Sequence, residues 1–251
     1  MIRTPNAAFR KTALILCFLP ALSVAAELRI AAASNFRPAM EPLVKEFETR
    51  SNHEVAVSYG STGKHYAQLL NGAPFDVFLA ADTERVRRLE ASGVGVGGSR
   101  FTYAMGTLVL WSRDLELGED GVAALKQLDW RFLSIANPRT APYGVAAEQF
   151  LRRINLWEGL QSRIVRGENV SQAFAFVRSG NSDMGLVALS QAMQIQNDST
   201  GWYWLVPKDY YEPIEQQAIL LNENQAAVAF LAFLQGGQAR GIISDHGYTV
   251  P

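Results

Sequence analysis

Four short stretches of small and polar residues stand where an apolar, strand-like run gives way to a helical pattern: Ser34-Asn35, Ser61-Thr62-Gly63, Tyr143-Gly144 and Asn169-Val170-Ser171. Each junction carries the unpaired backbone N–H groups of a helix start and the positive end of its dipole. Hydroxyls and amides are donors, so four such junctions converging on one cleft would hold an anion without any formal positive charge. Taken singly, each is explained as a helix cap, the ordinary use of Ser, Thr, Asn and Gly. Only the recurrence points to a site.

Other chemistry finds less support. Ser61-Thr62-Gly63-Lys64 has the S-x-x-K spacing of a serine nucleophile, as in penicillin-interacting enzymes, but the S-D-N and K-T-G elements that chemistry needs are absent, and Asn181-Ser182-Asp183 has the wrong order. A serine hydrolase built on Ser61 and Lys64 is therefore the cross-class rival. The same stretch fails as a phosphate loop, because Ser58 and His65 stand where that motif requires Gly and Ser or Thr. His53, His65 and His246 have no ligand-like spacing with carboxylates and are expected at the surface or at caps. There is no Gly-x-Ser-x-Gly elbow and no carboxylate pair that stands out as an acid/base couple, so no catalytic residue is assigned. The five tryptophans are read as packing residues, Trp202 and Trp204 included.

The chain has 251 residues, 48% hydrophobic and 19% charged, which is ordinary for a globular protein and excludes a disordered or fibrous one. Residues 1–26 read as a secretory signal: Arg3, Arg10 and Lys11 precede an apolar run over 12–24 interrupted by Pro20 and Ser23, and Val24-Ala25-Ala26 offers a cleavage site after Ala26. The expected destination is the periplasm. The signal holds three basic residues and no acidic one, so its removal takes the formal net charge from −1 to −4. Nothing in that charge favours nucleic acid or anionic lipid. The only cysteine, Cys17, lies within the signal and is preceded by Leu16, too large for a lipoprotein site, so neither lipidation, disulfides nor thiolate chemistry is expected of the exported chain.

Strand and helix patterns alternate along the rest, favouring a parallel-type α/β sheet. Strands are expected over 28–33, 55–58, 76–80, 107–111, 132–136, 163–165, 184–188, 202–206 and 214–221. Helices are expected over 38–50, 64–71, 83–91, 122–128, 145–154, 170–178 and 226–235. The Gly- and Val-rich segment 93–98 and residues 137–143 read as loops.

Residues 28–36, 59–64 and 71–82, the last containing Asn71-Gly72-Ala73-Pro74-Phe75-Asp76, resemble the molybdate-binding periplasmic proteins of ABC importers. The resemblance continues through Asn137-Pro138, Pro142-Tyr143-Gly144, Glu168-Asn169-Val170 and Gly185-Leu186-Val187, and covers essentially the whole chain after the signal. It implies a type II periplasmic binding fold, with two α/β lobes joined by a two-strand hinge and the ligand in the cleft. Lobe I would comprise 27–107 plus 213–251, and lobe II 108–212. It also implies a monomer with no cofactor, which captures molybdate or tungstate and delivers it to an inner-membrane ABC permease. Molybdenum would be held only as the oxyanion, through Ser34, Ser61, Thr62, Tyr143 and Val170, with Asn35 and Asn169 as neighbours. Some members place a ligand-contacting Tyr where this chain has Ala188, and Tyr143 is expected to supply that ring. The nearest alternatives are another oxyanion such as sulfate, and a sensor that presents its ligand to a signalling receptor.

Overall fold

The computed structural model describes Met1 and residues 27–196 and 201–251. The signal segment, its cut after Ala26 and Cys17 lie outside the described residues. Along the chain, β1 (Leu28–Ala33) leads through a short 3-10 turn (Ser34–Phe36) into α1 (Arg37–Arg50), followed by β2 (Val55–Gly60), α2 (Thr62–Leu70), β3 (Val77–Leu79), α3 (Glu84–Ala91) and β4 (Phe101–Gly106). After Thr107 the chain crosses into a second body: β5 (Leu108–Ser112), α4 (Gly121–Gln127), β6 (Leu133–Ala136), α5 (Pro142–Arg153), β7 (Ile164–Gly167), α6 (Val170–Arg178), β8 (Met184–Ala188), α7 (Leu189–Gln196) and β9 (Trp202–Leu205). It then returns as β10 (Ile214–Leu220), α8 (Gln225–Gln235) and α9 (Gly237–Asp245).

Each body is built on a five-stranded sheet, in the order β2-β1-β3-β10-β4 for the first and β7-β6-β8-β5-β9 for the second. Within the first, β1 runs parallel to β2 and β3, and five of its six residues are buried. That is why it reads as a continuous apolar run without alternation. The helices α1, α8 and α9 cover one face, where Met40, Leu43, Phe47 and Phe230 fill a core. On the other face, α2 and α3 bury Leu69, Phe78, Val86 and Leu89. The second body has its own core around Trp111, Leu133, Phe150 and Leu186.

The sheets are mixed, where the alternating pattern suggests parallel ones. β10 pairs antiparallel with β3 and β4, and β5 pairs antiparallel with β8 and β9, because these are the strands that carry the chain between bodies. Three elements escape the sequence reading. β4 lies beyond a glycine-rich loop with little alternation, α7 is short and largely polar, and α9 carries Gly237 and Gly241 in a nine-residue helix. His65 corrects another expectation. It lies on the buried face of α2, its Nδ1 is 3.0 Å from Gln68 Oε1, and burial lowers its pKa, which favours the neutral ring.

At the amino-terminal end of β3, away from the cleft, the Asp76 carboxylate accepts from Arg29 N at 2.8 Å, Asn222 Nδ2 at 3.1 Å and Asn224 Nδ2 at 2.8 Å. One side chain thus ties β1, the turn after β10 and the cap of α8 together. Asp76→Ala should lower unfolding free energy by about 1.5–3 kcal/mol in urea titrations, since it strands a backbone donor and two amides. Ligand affinity should stay within about twofold, because the change lies at the far end of the sheet from the cleft.

Candidate functional site

Parallel pairing brings the four junctions to one place. The ladder aligns Ala33 with Gly60 in the first sheet and Ala136 with Gly167 in the second, so the carboxyl ends of β1, β2, β6 and β7 finish level. Ligands of open α/β sheets bind beyond such strand ends. Here the ends of the two sheets face one another across a small, partly open cavity walled by Ser34, Asn35, Ser61, Thr62, Tyr143, Asn169 and Val170, with Ala81, Ala141 and Pro142 among the residues that close it. No Asp, Glu, Lys, Arg or His is among its described lining residues.

The helix starts can be accounted for bond by bond. The first N–H groups of a helix have no acceptor within it. In α2, Gly63 N donates to Thr140 O at 2.8 Å and Lys64 N to Ser61 Oγ at 3.3 Å, leaving the Thr62 amide for the cavity. In α6, Ser171 N reaches Ser34 Oγ at 3.4 Å and Gln172 N reaches Asn169 Oδ1 at 3.0 Å, leaving Val170. In α5, Pro142 has no N–H to satisfy, and Gly144 and Val145 both donate to Ala141 O, leaving Tyr143. The Asn35 amide stands in the first turn of the 3-10 segment in the same situation.

The hydroxyls are prepared in the same sense. Ser34 Oγ accepts from Ser171 N, Ser61 Oγ from Lys64 N, and Thr62 Oγ1 from Ala81 N at 3.0 Å. A hydroxyl whose lone pair is already engaged by an N–H is left with its proton to donate. The cavity therefore offers donors from both sheets and little to accept a proton.

Not every expected side chain faces inward. Asn35 turns its side-chain amide away, donating to Gln216 Oε1 and to the Tyr248 hydroxyl at 2.9 Å each, while its backbone carbonyl accepts from Tyr248 at 2.8 Å and from Ser190 Oγ at 2.9 Å. Asn169 spends its side chain capping α6. The Tyr143 ring is fully buried, and its hydroxyl lies against Gly106 near Gln216, with no hydrogen-bond partner among the described residues. Burial holds that phenol well above its ordinary pKa, so it stays a neutral donor. Ala188 is buried and brings no ring. Lys64 is exposed, and its Nζ meets Glu168 Oε2 at 3.4 Å across the cleft mouth instead of approaching Ser61 Oγ, so the nucleophile pairing is not formed. Sequence reading did not assign roles to Ala81, Ser171, Ser190, Gln216 or Tyr248. Of these, only Ser171, inside the fourth junction, carries a local signal.

The profile of the family described as bacterial extracellular solute-binding protein matches residues 28–249. The chain belongs to that family. Among curated members, it is 46% identical over 227 residues to the molybdate-binding protein ModA of Azotobacter vinelandii, covering 89% of this chain and 90% of that one. It is 41% identical over 242 residues to ModA of Rhodobacter capsulatus, covering 95% and 94%. The solved Azotobacter vinelandii periplasmic molybdate-binding protein superposes with a TM-score of 0.85 at 41% identity, covering 89% of this chain and 99% of that one. The two-lobed α/β fold expected from sequence is thus the fold of these solute-binding proteins. A sulfate-binding protein of Mycobacterium tuberculosis, at 14% identity and a TM-score of 0.71, shares the fold alone.

Because Asn35 is held by Gln216 and Tyr248 on the side away from the cavity, Asn35→Ala should cost about 1–3 kcal/mol of stability, read from chemical denaturation, by leaving buried partners unpaired. Its effect on ligand affinity should be smaller than that of Ser34→Ala, whose hydroxyl wall faces the cavity.

Proposed function

We propose that this protein is the periplasmic capture component of a molybdate ABC importer, and that it takes tungstate as well. The observation that carries the reading is the cavity between the lobes whose described walls are neutral donors: three hydroxyls with engaged lone pairs and one free amide at each helix start. A fully deprotonated tetrahedral dianion only accepts, so every one of its hydrogen bonds can be met there. The names of the curated relatives, at 46% and 41% identity, point to the same ligand. Molybdate and tungstate share charge and nearly share size, which supports uptake of both. Partly protonated phosphate needs an acceptor for its proton, and the acid adjoining a junction in sequence, Glu168, is exposed and engaged by Lys64. Sulfate is smaller and would leave some donors stretched. The protein acts as a monomer in this reading, is not an enzyme, and hands the ion to a membrane permease.

The ligand oxygens would be held by the hydroxyls of Ser34, Ser61 and Thr62 and by the backbone amides of Tyr143 and Val170, with Asn35 contributing its backbone amide and Asn169 acting through the cap of α6. Donors from both lobes reach one ion only when the lobes are closed, so binding and closure are one event. Scattering should accordingly give a smaller radius of gyration with molybdate than without.

In thermal denaturation, molybdate and tungstate should each raise the melting temperature of ligand-stripped protein, corresponding to about 4 kcal/mol at a thousandfold excess over Kd. Sulfate and phosphate at equal concentration should do far less; an equal shift with sulfate would remove the molybdate assignment. Ser34→Ala should weaken molybdate binding roughly 10- to 150-fold in calorimetry, the loss of one charge-assisted bond. Lys64→Met removes only an exposed ion pair and should change affinity by less than about 1 kcal/mol. The reverse ranking would make the site a cation–anion pair.

A further inference from the structure

Gly63 has no reason within its own lobe to be a glycine. It is the second residue of α2 and its φ is not in the left-handed region, so its backbone is open to any L-residue. Glycine at such a place weakens a helix relative to alanine. On its own side of the cleft, the near neighbour of a Cβ placed there is the Arg85 guanidinium tip at 3.3 Å, the end of a flexible chain. The crowding comes from the other lobe. That Cβ would stand 2.8 Å from the carbonyl oxygen of Thr140 and 3.0 Å from its Cα, while Gly63 N already donates to the same oxygen at 2.8 Å. Both are backbone atoms of the segment between β6 and α5, which no rotamer change can move aside.

We propose that Gly63 is a positioning residue that sets how far the two lobes close over the oxyanion. The inference rests on the functional reading above. The Gly63–Thr140 bond lies one residue after Thr62, whose amide and hydroxyl wall one side of the cavity, and three residues before Tyr143, whose amide lies on the other. This backbone contact, together with the Ser34–Ser171 bonds, sets the separation between the donors of the two lobes. Arg85 Nη2, reaching Arg139 O at 3.4 Å, and the Lys64–Glu168 pair flank it. A methyl group at position 63 would hold the walls apart by several tenths of an ångström. Hydrogen bonds on one side or the other of the ion would then lengthen beyond their preferred range.

Calorimetry with sodium molybdate on ligand-stripped full-length exported protein tests this, using wild type, Gly63→Ala and Gly63→Val. Gly237→Ala serves as control, being a helix-start glycine whose added methyl meets nothing within 4 Å. Gly63→Ala should weaken binding by about tenfold or more through faster dissociation, and Gly63→Val further, while Gly237→Ala binds as wild type. The ligand-free melting temperature of Gly63→Ala should stay within about 2 °C of wild type or rise, since alanine is the better helix former. A wild-type protein that binds while Gly63→Ala binds within twofold of it would overturn the inference alone. So would a loss of affinity matched by a parallel fall in ligand-free stability, which is the mark of a merely structural role. A wild type that takes up no molybdate would overturn the functional reading itself.

Discussion

A helix start buried in a protein must dispose of amide N–H groups that its own carbonyls cannot reach. Most of the architecture here follows from how that constraint is met. At α2, α5 and α6 every early donor but one is satisfied within the protein, by a cap, by a carbonyl of the facing lobe, or by a proline that has no N–H at all. The amides that remain, at Thr62, Tyr143 and Val170, all open on one cavity. A dianion there would complete three helices at once and meet the positive ends of their dipoles without a counter-charge on a side chain. An uncharged trap also avoids burying a lysine or arginine that would be left unpaired whenever the cleft is empty.

Meeting the constraint from two sides requires two lobes, and the lobes share more than the ligand. Ser34 Oγ of the first accepts the Ser171 amide of the second, and Ser171 Oγ donates back to Ser34 O at 3.0 Å. Ser190, at the start of α7, donates to the Asn35 carbonyl, which Tyr248 also holds. These bonds place the interlobe contact directly behind the cavity-lining hydroxyls. Movement between lobes and the orientation of the donors are therefore the same coordinate. This gives a physical basis for coupling capture to a shape change that a membrane partner can sense.

Much of this was legible in the sequence. The order of strands and helices followed from apolar periodicity, and β1 announced itself by an unbroken apolar run. The four junctions could be named from composition, and their donor-only chemistry followed from residue types alone. What periodicity could not supply were elements with weak patterns. β4 alternates little and follows a glycine-rich loop, and α9 contains two glycines; both are held by packing against neighbours far away in the chain. His65 looked like a cap or surface residue because its burial depends on where Gly60 and Phe78 lie beneath it.

Local chemistry, then, was determined by the sequence: which residues can donate, where helices begin, and that the chain alternates into an α/β fold. Direction and partnership were decided only by the tertiary structure. That the Asn35 side-chain amide meets Gln216 and Tyr248, 181 and 213 positions away, depends on the return of β10 and the carboxyl terminus to the first sheet. That the Ser34, Ser61 and Thr62 hydroxyls keep their protons for a ligand depends on amides delivered by Ser171, Lys64 and Ala81. Gly63 reads as an unremarkable helix residue until Thr140 of the other lobe is set against it. Propensity and capping act over a few residues and are written in adjacent letters; a lone pair is engaged or left free by atoms that only folding brings within 3 Å.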